Sequence, residues 1–210
     1  VIILDRENEV WDVPGHLQHL MEHWDFTRGR HKAVVDFVIG QITTESILDV
    51  GCGIGFLPYE LRELGKKLTY VGMDNSKVML ADAIKRFPEL KDFFVFGDVY
   101  DMSNFSMFPS VVCIDIIMHL PDPLDLPIKE MWKHAEKELI FTARVDKKFI
   151  YYMDYSGNFV LPEGKFLISR ADLHEDFISI LNTLDDTESI GWIDYDERTR
   201  VYRIVRNKHV

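Results

Sequence analysis

The stretch ILDVGCGIGF, residues 47–56, restricts the possible folds of this chain more than any other. A short apolar run enters a turn with glycines at 51, 53 and 55, and a helical pattern follows until Gly65. That order describes a strand handing its C-terminal end to a helix, which glycine then terminates. The same order repeats downstream. LTYVGMD reads as a second strand, and Ser76 as the N-cap of a second helix. That helix stops near Phe87, because Pro88 disfavours helical geometry in the residue before it. FFVFGD, SVVCIDI and ELIFTARV read as further strands, with a helix over about 124–136. Strands alternating with helices predict a largely parallel sheet covered on both faces.

Two regions depart from the alternation. Residues 146–168 gather Phe149, Tyr151, Tyr152, Tyr155, Phe159 and Phe166 around a YSGN turn, the pattern of an inserted hairpin. At the C-terminus a helix over about 170–184 precedes SIGWIDYD and RVYRIVRN, two strands close enough to be only antiparallel neighbours. Ahead of the first strand, residues 11–40 carry helical spacing, with TRG at 27–29 between two helices.

A chain of 210 residues supports one substantial core. Its net charge of -11, with basic residues scattered, opposes a nucleic-acid partner, since phosphate binding draws on clustered Lys and Arg. Two cysteines, neither in a CxxC pair, make no disulfide framework and suit a reducing, cytoplasmic compartment. The opening VIIL is broken at once by DRENE, so it reads as neither a signal peptide nor a membrane span. Oligomeric state is not legible.

Ligands of open α/β sheets lie beyond the carboxyl ends of the strands, where the strand order reverses. The glycine turn stands at such an end. A dinucleotide fingerprint needs a third glycine or alanine for close helix–strand packing, and that position is Phe56. Asp49 opposes a diphosphate and attracts a partly cationic ligand. Both features speak against a nicotinamide or flavin dinucleotide, and so against an oxidoreductase. Asp74 closes the second strand, where an acid accepts from both hydroxyls of a ribose. Asp98 closes the third strand and suits an exocyclic amine, and Asp115 follows the fourth. Adenosine bearing a sulfonium and an amino-acid tail fits this row.

ILDVGCGIGFLPYEL, YVGMDNSKVML, FVFGDV and VVCIDIIMHLPDP together resemble the successive motifs of class I S-adenosylmethionine-dependent methyltransferases, over roughly residues 45–145. The nearest likeness is to the small-molecule group that includes the ubiquinone and menaquinone biosynthesis enzymes. The resemblance implies a Rossmann-like, seven-stranded, mostly parallel sheet with helices on both faces and an antiparallel C-terminal hairpin. Residues 1–40 would form an N-terminal helical lid over a methyltransferase domain at 41–210, with the substrate-side insertion near 146–168. It also implies a set of cofactor contacts. The backbone of Gly51, Cys52, Gly53 and Gly55 would pass under the methionine part, supported by Asp49. Asp74 would hold the ribose, with Asn75, Ser76 and Met79 lining the adenosine pocket. Asp98 would accept from the adenine amine and the Val99 N–H would reach a ring nitrogen. Cys113 and Ile114 would flank the sulfonium, and Arg30, placed better than Arg28, would pair with the cofactor carboxylate.

The acceptor would be a small, partly apolar molecule; the NPPY-like motif of nucleic-acid amino methylation is absent, the fourth strand reading CIDI. Methyl transfer demands alignment and exclusion of water more than a base. His119, just past the fourth strand, is the candidate catalytic base if one is used. Plainer readings stand beside these. Asp49 also suits bracing the following helix, Asp74 a turn, and the cysteines small buried positions. His16, His19 and His23 share one helical face and could ligate zinc, though such a stripe also serves as a polar lid lining, and no metal is expected. A non-catalytic regulatory protein on the same fold is the rival to the enzyme.

Overall fold

The structure is a computed structural model, which describes residues 9–12, 17, 30–146, 148–153, 155–156, 159–160 and 167–207. Its centre is the sheet that the sequence pattern calls for. Strands β1 (Ser46–Val50), β2 (Thr69–Asp74), β3 (Phe94–Phe96), β4 (Phe108–Cys113) and β5 (Ala135–Arg144) alternate with helices α2 (Phe56–Glu63), α3 (Lys77–Arg86) and α4 (Asp125–Lys133), and α1 (Arg30–Gln41) precedes them. Gly65, at φ 65, follows the end of α2, and Phe87 ends α3 just before Pro88.

Successive side chains of a strand point to opposite faces, and the buried residues divide accordingly. Ile47, Val112, Ile140 and Val201 join a core with Val34, Val38, Leu57 and Leu80 from α1, α2 and α3. Leu48, Val111, Leu139 and Tyr202 join a second core with Ile128, Met131, Phe177 and Leu181. Tyr202 and Val201 lie on β11 (Thr199–Arg206), and Phe177 and Leu181 on α5 (His174–Leu181). Both faces of the sheet are therefore covered, as near-continuous apolar strands require.

The seven strands run in the order β10-β11-β5-β4-β1-β2-β3, where β10 is Thr187–Asp194. β1 is parallel to β2 on one side and to β4 on the other. The chain thus walks outward from β1 to β3, then returns to the far side of β1. That reversal opens a crevice beyond the ends of β1 and β4. β11 is antiparallel to both β5 and β10, which supplies the expected C-terminal hairpin.

The inserted segment is a pair of small ladders. β6 (Phe149–Met153) pairs with β9 (Leu167–Ala171), and β7 (Tyr155–Ser156) with β8 (Phe159–Val160), while Gly157 and Asn158 of the YSGN stretch lie outside the described residues. The side chains of Tyr151, Tyr152 and Tyr155 lie outside the described residues. β4 ends at Cys113, short of the IDI that the sequence pattern includes, because Asp115 takes a left-handed backbone, and two helix boundaries also differ from the sequence expectation. α4 ends at Lys133 because Ala135 already pairs with Phe108 of β4. α5 begins only at His174, because Arg170 and Ala171 belong to β9. The Arg170 guanidinium is buried there against Asp172, with Asp122 at 2.8 Å, so burial of a paired charge takes those residues from the helix. In the N-terminal region Glu9–Asp12 form a 3-10 turn, and most of residues 13–29 lie outside the described residues. Among the described residues no helix is long and apolar enough to cross a membrane.

Candidate functional site

The glycine turn is tied to the end of β2. The N–H groups of Gly51 and Cys52 both donate to the Met73 carbonyl, at 2.7 and 3.0 Å. Two of its glycines have different reasons. At Gly51, with φ 76, a Cβ would come within 2.3 Å of the Ile116 side chain, which belongs to the loop after β4. At Gly53, with φ 54, a Cβ would meet nothing within 4 Å. The backbone is bare there beside open space, a cradle that a side chain would fill.

Asp74 faces this cradle from the end of β2. Its Oδ2 accepts the Gly53 N–H and its Oδ1 the Ser76 N–H, each at 2.8 Å. Burial pushes its carboxyl up to about 6 although the two donors pull the other way. Ser76 caps α3 as expected, accepting the Met79 N–H at 3.0 Å. Met79 is buried behind it and Asn75 is exposed.

Asp49 turns out to lie inside the sheet layer. It is 3% exposed and accepts the Tyr70 hydroxyl at 2.9 Å. Burial, with Asp74 nearby, pushes it up to about 7. It is therefore only partly charged at neutral pH, which tempers the electrostatic weight that the sequence reading gives it. Phe56 occupies the place of a third glycine as a buried side chain, and its ring meets His31 edge-on at 4.4 Å between centroids.

Asp98 stands half-buried past β3, its Oδ1 accepting the Tyr100 N–H at 2.9 Å in a tight turn. Val99 is buried. Cys113 ends β4 and Ile114 follows it, both buried, and burial raises the thiols of Cys113 and Cys52 alike. Neutral thiols fit small packing residues better than nucleophiles. Arg30 opens α1, but its side chain lies outside the described residues, as do His16, His19 and His23. Among the described residues no group of three or more His, Cys, Asp and Glu could hold a metal ion.

Beyond β4 the structure gathers a cluster that sequence spacing does not reveal. Asp115 adopts φ 57, the left-handed region. Its N–H donates to the Thr142 hydroxyl at 2.7 Å, and that hydroxyl returns a bond to Oδ1 at 3.2 Å. Oδ2 meets His31 Nδ1 at 3.2 Å. His31 is 84 positions away, so no local motif links them. His119 sits on the next turn. Its Nδ1 lies 2.7 Å from the Ile168 carbonyl, which can only accept, so Nδ1 carries the hydrogen and Nε2 the lone pair. Burial lowers its basicity. The Trp11 ring meets the His119 imidazole edge-on at 5.2 Å.

A bare backbone cradle, an acid held open by two N–H groups and a buried Phe56 suit a nucleoside better than a diphosphate. Residues 47–138 match the family model described as "Methyltransferase domain". A ubiquinone biosynthesis O-methyltransferase of Pseudoalteromonas translucida is 25% identical over 164 residues, covering 73% of this chain and 66% of that protein. The chain thus spans about two thirds of that relative's length. Magnesium protoporphyrin IX methyltransferase from Synechocystis, solved with bound S-adenosylmethionine, shares the fold at TM-score 0.67 and 16% identity, covering 99% of this chain and 100% of that one. A S-adenosylmethionine-dependent methyltransferase from Clostridium acetobutylicum superposes at TM-score 0.65 and 17% identity, covering 92% and 99%. Sheet order, glycine turn and family model point the same way: residues 47–138 are similar to a methyltransferase domain, and the chain shares the fold of S-adenosylmethionine-dependent methyltransferases.

Proposed function

We propose that the protein transfers a methyl group from S-adenosylmethionine to a small, partly apolar acceptor. The Gly53 cradle beside the anchored Asp74 carboxylate carries this reading. Each Asp74 oxygen spends one acceptor direction on a backbone N–H and retains another for a ribose hydroxyl. Asn75, Ser76 and Met79 line the adenosine side, with Asp98 and Val99 at the base. The turn formed by Gly51, Cys52, Gly53 and Gly55 carries the amino-acid part, with Arg30 as partner of its carboxylate. Cys113 and Ile114 stand beside the sulfur.

The cofactor supplies a methyl already activated on positive sulfur. The chain's own work is to hold the acceptor in line and keep water out. Residues 1–40 as lid and 146–168 as insertion choose the acceptor. His119 presents its Nε2 lone pair as a base for an acceptor that keeps its proton until attack. The similar proteins named above include one of ubiquinone biosynthesis and one acting on magnesium protoporphyrin IX, which supports a small-molecule acceptor here.

A metabolite panel incubated with isotope-labelled cofactor and read by mass spectrometry tests the reading. Label in a small organic product is expected. Calorimetric binding of S-adenosylhomocysteine with no labelled product from any member would point instead to a non-catalytic role for the pocket.

A further inference from the structure

Neighbouring residues in the N-terminal 3-10 turn reach opposite sides of the crevice. Trp11 meets His119 after β4, whereas Asp12 meets the start of α3 after β2. β4 and β2 flank β1, so this dipeptide bridges the strand end that carries the glycine turn. The Asp12 contact is the more telling of the two. Its Oδ1 accepts the Ser76 hydroxyl at 2.6 Å and the Val78 N–H at 3.2 Å. The first turn of a helix has N–H groups without intrahelical partners, and here they are divided. Ser76 takes the Met79 N–H, and Asp12, from 66 positions away, takes that of Val78.

A hydroxyl has one proton to give. Ser76 is 1% exposed and gives its proton to Asp12, the Trp11 carbonyl lying further off at 3.4 Å. This fixes the Ser76 oxygen as acceptor for Met79 and fixes the Ser76 backbone. That backbone N–H holds Asp74 Oδ1. The chain of bonds therefore runs from Asp12 through Ser76 and Asp74 to Gly53.

We propose that Asp12 is a positioning residue for the cofactor ribose, setting the direction of the Asp74 carboxylate through Ser76. The proposal rests on the reading of Asp74 as the ribose acceptor. Asp12 touches no reacting atom; it completes from the N-terminal segment a site otherwise built by β1, β2 and α3.

The test is calorimetric titration with S-adenosylhomocysteine, which needs no methyl acceptor. Asp12→Ala should weaken binding about 5- to 150-fold, the scale of leaving a buried hydrogen-bonding group without its partner. Asp12→Asn retains a carbonyl oxygen at the Oδ1 position and should stay within about twofold of the unaltered protein. In an Asp74→Ala background the Asp12→Ala penalty should fall below about twofold, because residues in one network are not additive. Ser76→Ala, which removes the hydroxyl but keeps the backbone N–H, should reproduce most of the Asp12→Ala loss. An Asp12→Ala protein that binds normally would overturn the proposal, as would a penalty undiminished in the Asp74→Ala background. Equal losses from Asp12→Asn and Asp12→Ala would overturn it too, by showing charge rather than the bond at work. If the unaltered protein fails to bind, the cofactor reading itself falls, and this proposal with it.

Discussion

Gly53 and Asp74 are joined by a 2.8 Å bond from backbone N–H to carboxylate, so the glycine turn and the acid of the next strand form one unit. Replacing Asp74 with Ala removes the proposed ribose acceptor and also leaves the Gly53 and Ser76 N–H groups without this partner. We expect a loss of about 1–3 kcal/mol in binding S-adenosylhomocysteine, read by calorimetry. Unchanged affinity would move the ribose elsewhere.

The glycines at 51 and 53 should separate folding from binding. Both residues pay about 1–2 kcal/mol for an alanine in the left-handed region. Gly51→Ala also drives a methyl into Ile116, so it should lower the melting temperature further. Gly53→Ala meets no neighbour and should fold, yet its methyl fills the cradle. Loss of cofactor binding at Gly53→Ala with a melting temperature above that of Gly51→Ala is the expected pattern.

Asp49 gives the protein a pH signature. Its carboxyl is raised by burial to about 7, against an unfolded value of about 4. The folded state therefore keeps a proton that the unfolded state has lost. Stability is full below about pH 4 with respect to this group and declines as pH rises through about 7. Asp74, raised to about 6, adds a decline of the same sign. Asp49→Asn keeps an oxygen for the Tyr70 hydroxyl and removes the titration. Melting temperatures measured between pH 5 and pH 8 should fall less steeply in this variant than in the unaltered protein. A parallel slope in both would contradict the burial account.

Asp115 holds a left-handed backbone that β-branched residues resist, and it binds both Thr142 and His31. Asp115→Val should cost about 2–4 kcal/mol by denaturant titration, combining strain with the lost bonds. Asp115→Asn tolerates the backbone and keeps an acceptor, so it should cost about 1 kcal/mol or less. Equal costs would show that the backbone geometry is unimportant.

The central architecture was legible in the sequence because each element announces itself locally. The glycine turn, the Ser76 cap and the Pro88 stop each act within a few residues, and the structure finds each where expected. Boundaries failed where a distant partner decides. Arg170 reads as part of a helix until its burial against Asp172 and Asp122 is seen, and Ala135 until it pairs with Phe108. The site divides the same way. Asp74 and the glycines follow from a strand end, whereas His31 with Asp115 and Asp12 with Ser76 meet across 84 and 64 positions. No spacing rule reaches that far. The sequence pattern puts Asp49 on β1, where it lies, but its burial, and so its reduced charge, depends on Tyr70 and the neighbouring strands.

β11 is inserted between β5 and β10 although it follows both in the chain. A nascent chain that has left the ribosome only as far as Asp194 therefore holds β10 with no strand to join, and β5 with a bare edge. The parallel half, from β3 to β5, is already contiguous at that moment. Truncation before Thr199 would leave the β5 edge open to pairing with other chains, an edge that the stretch Thr199–Arg206 covers in the whole sheet.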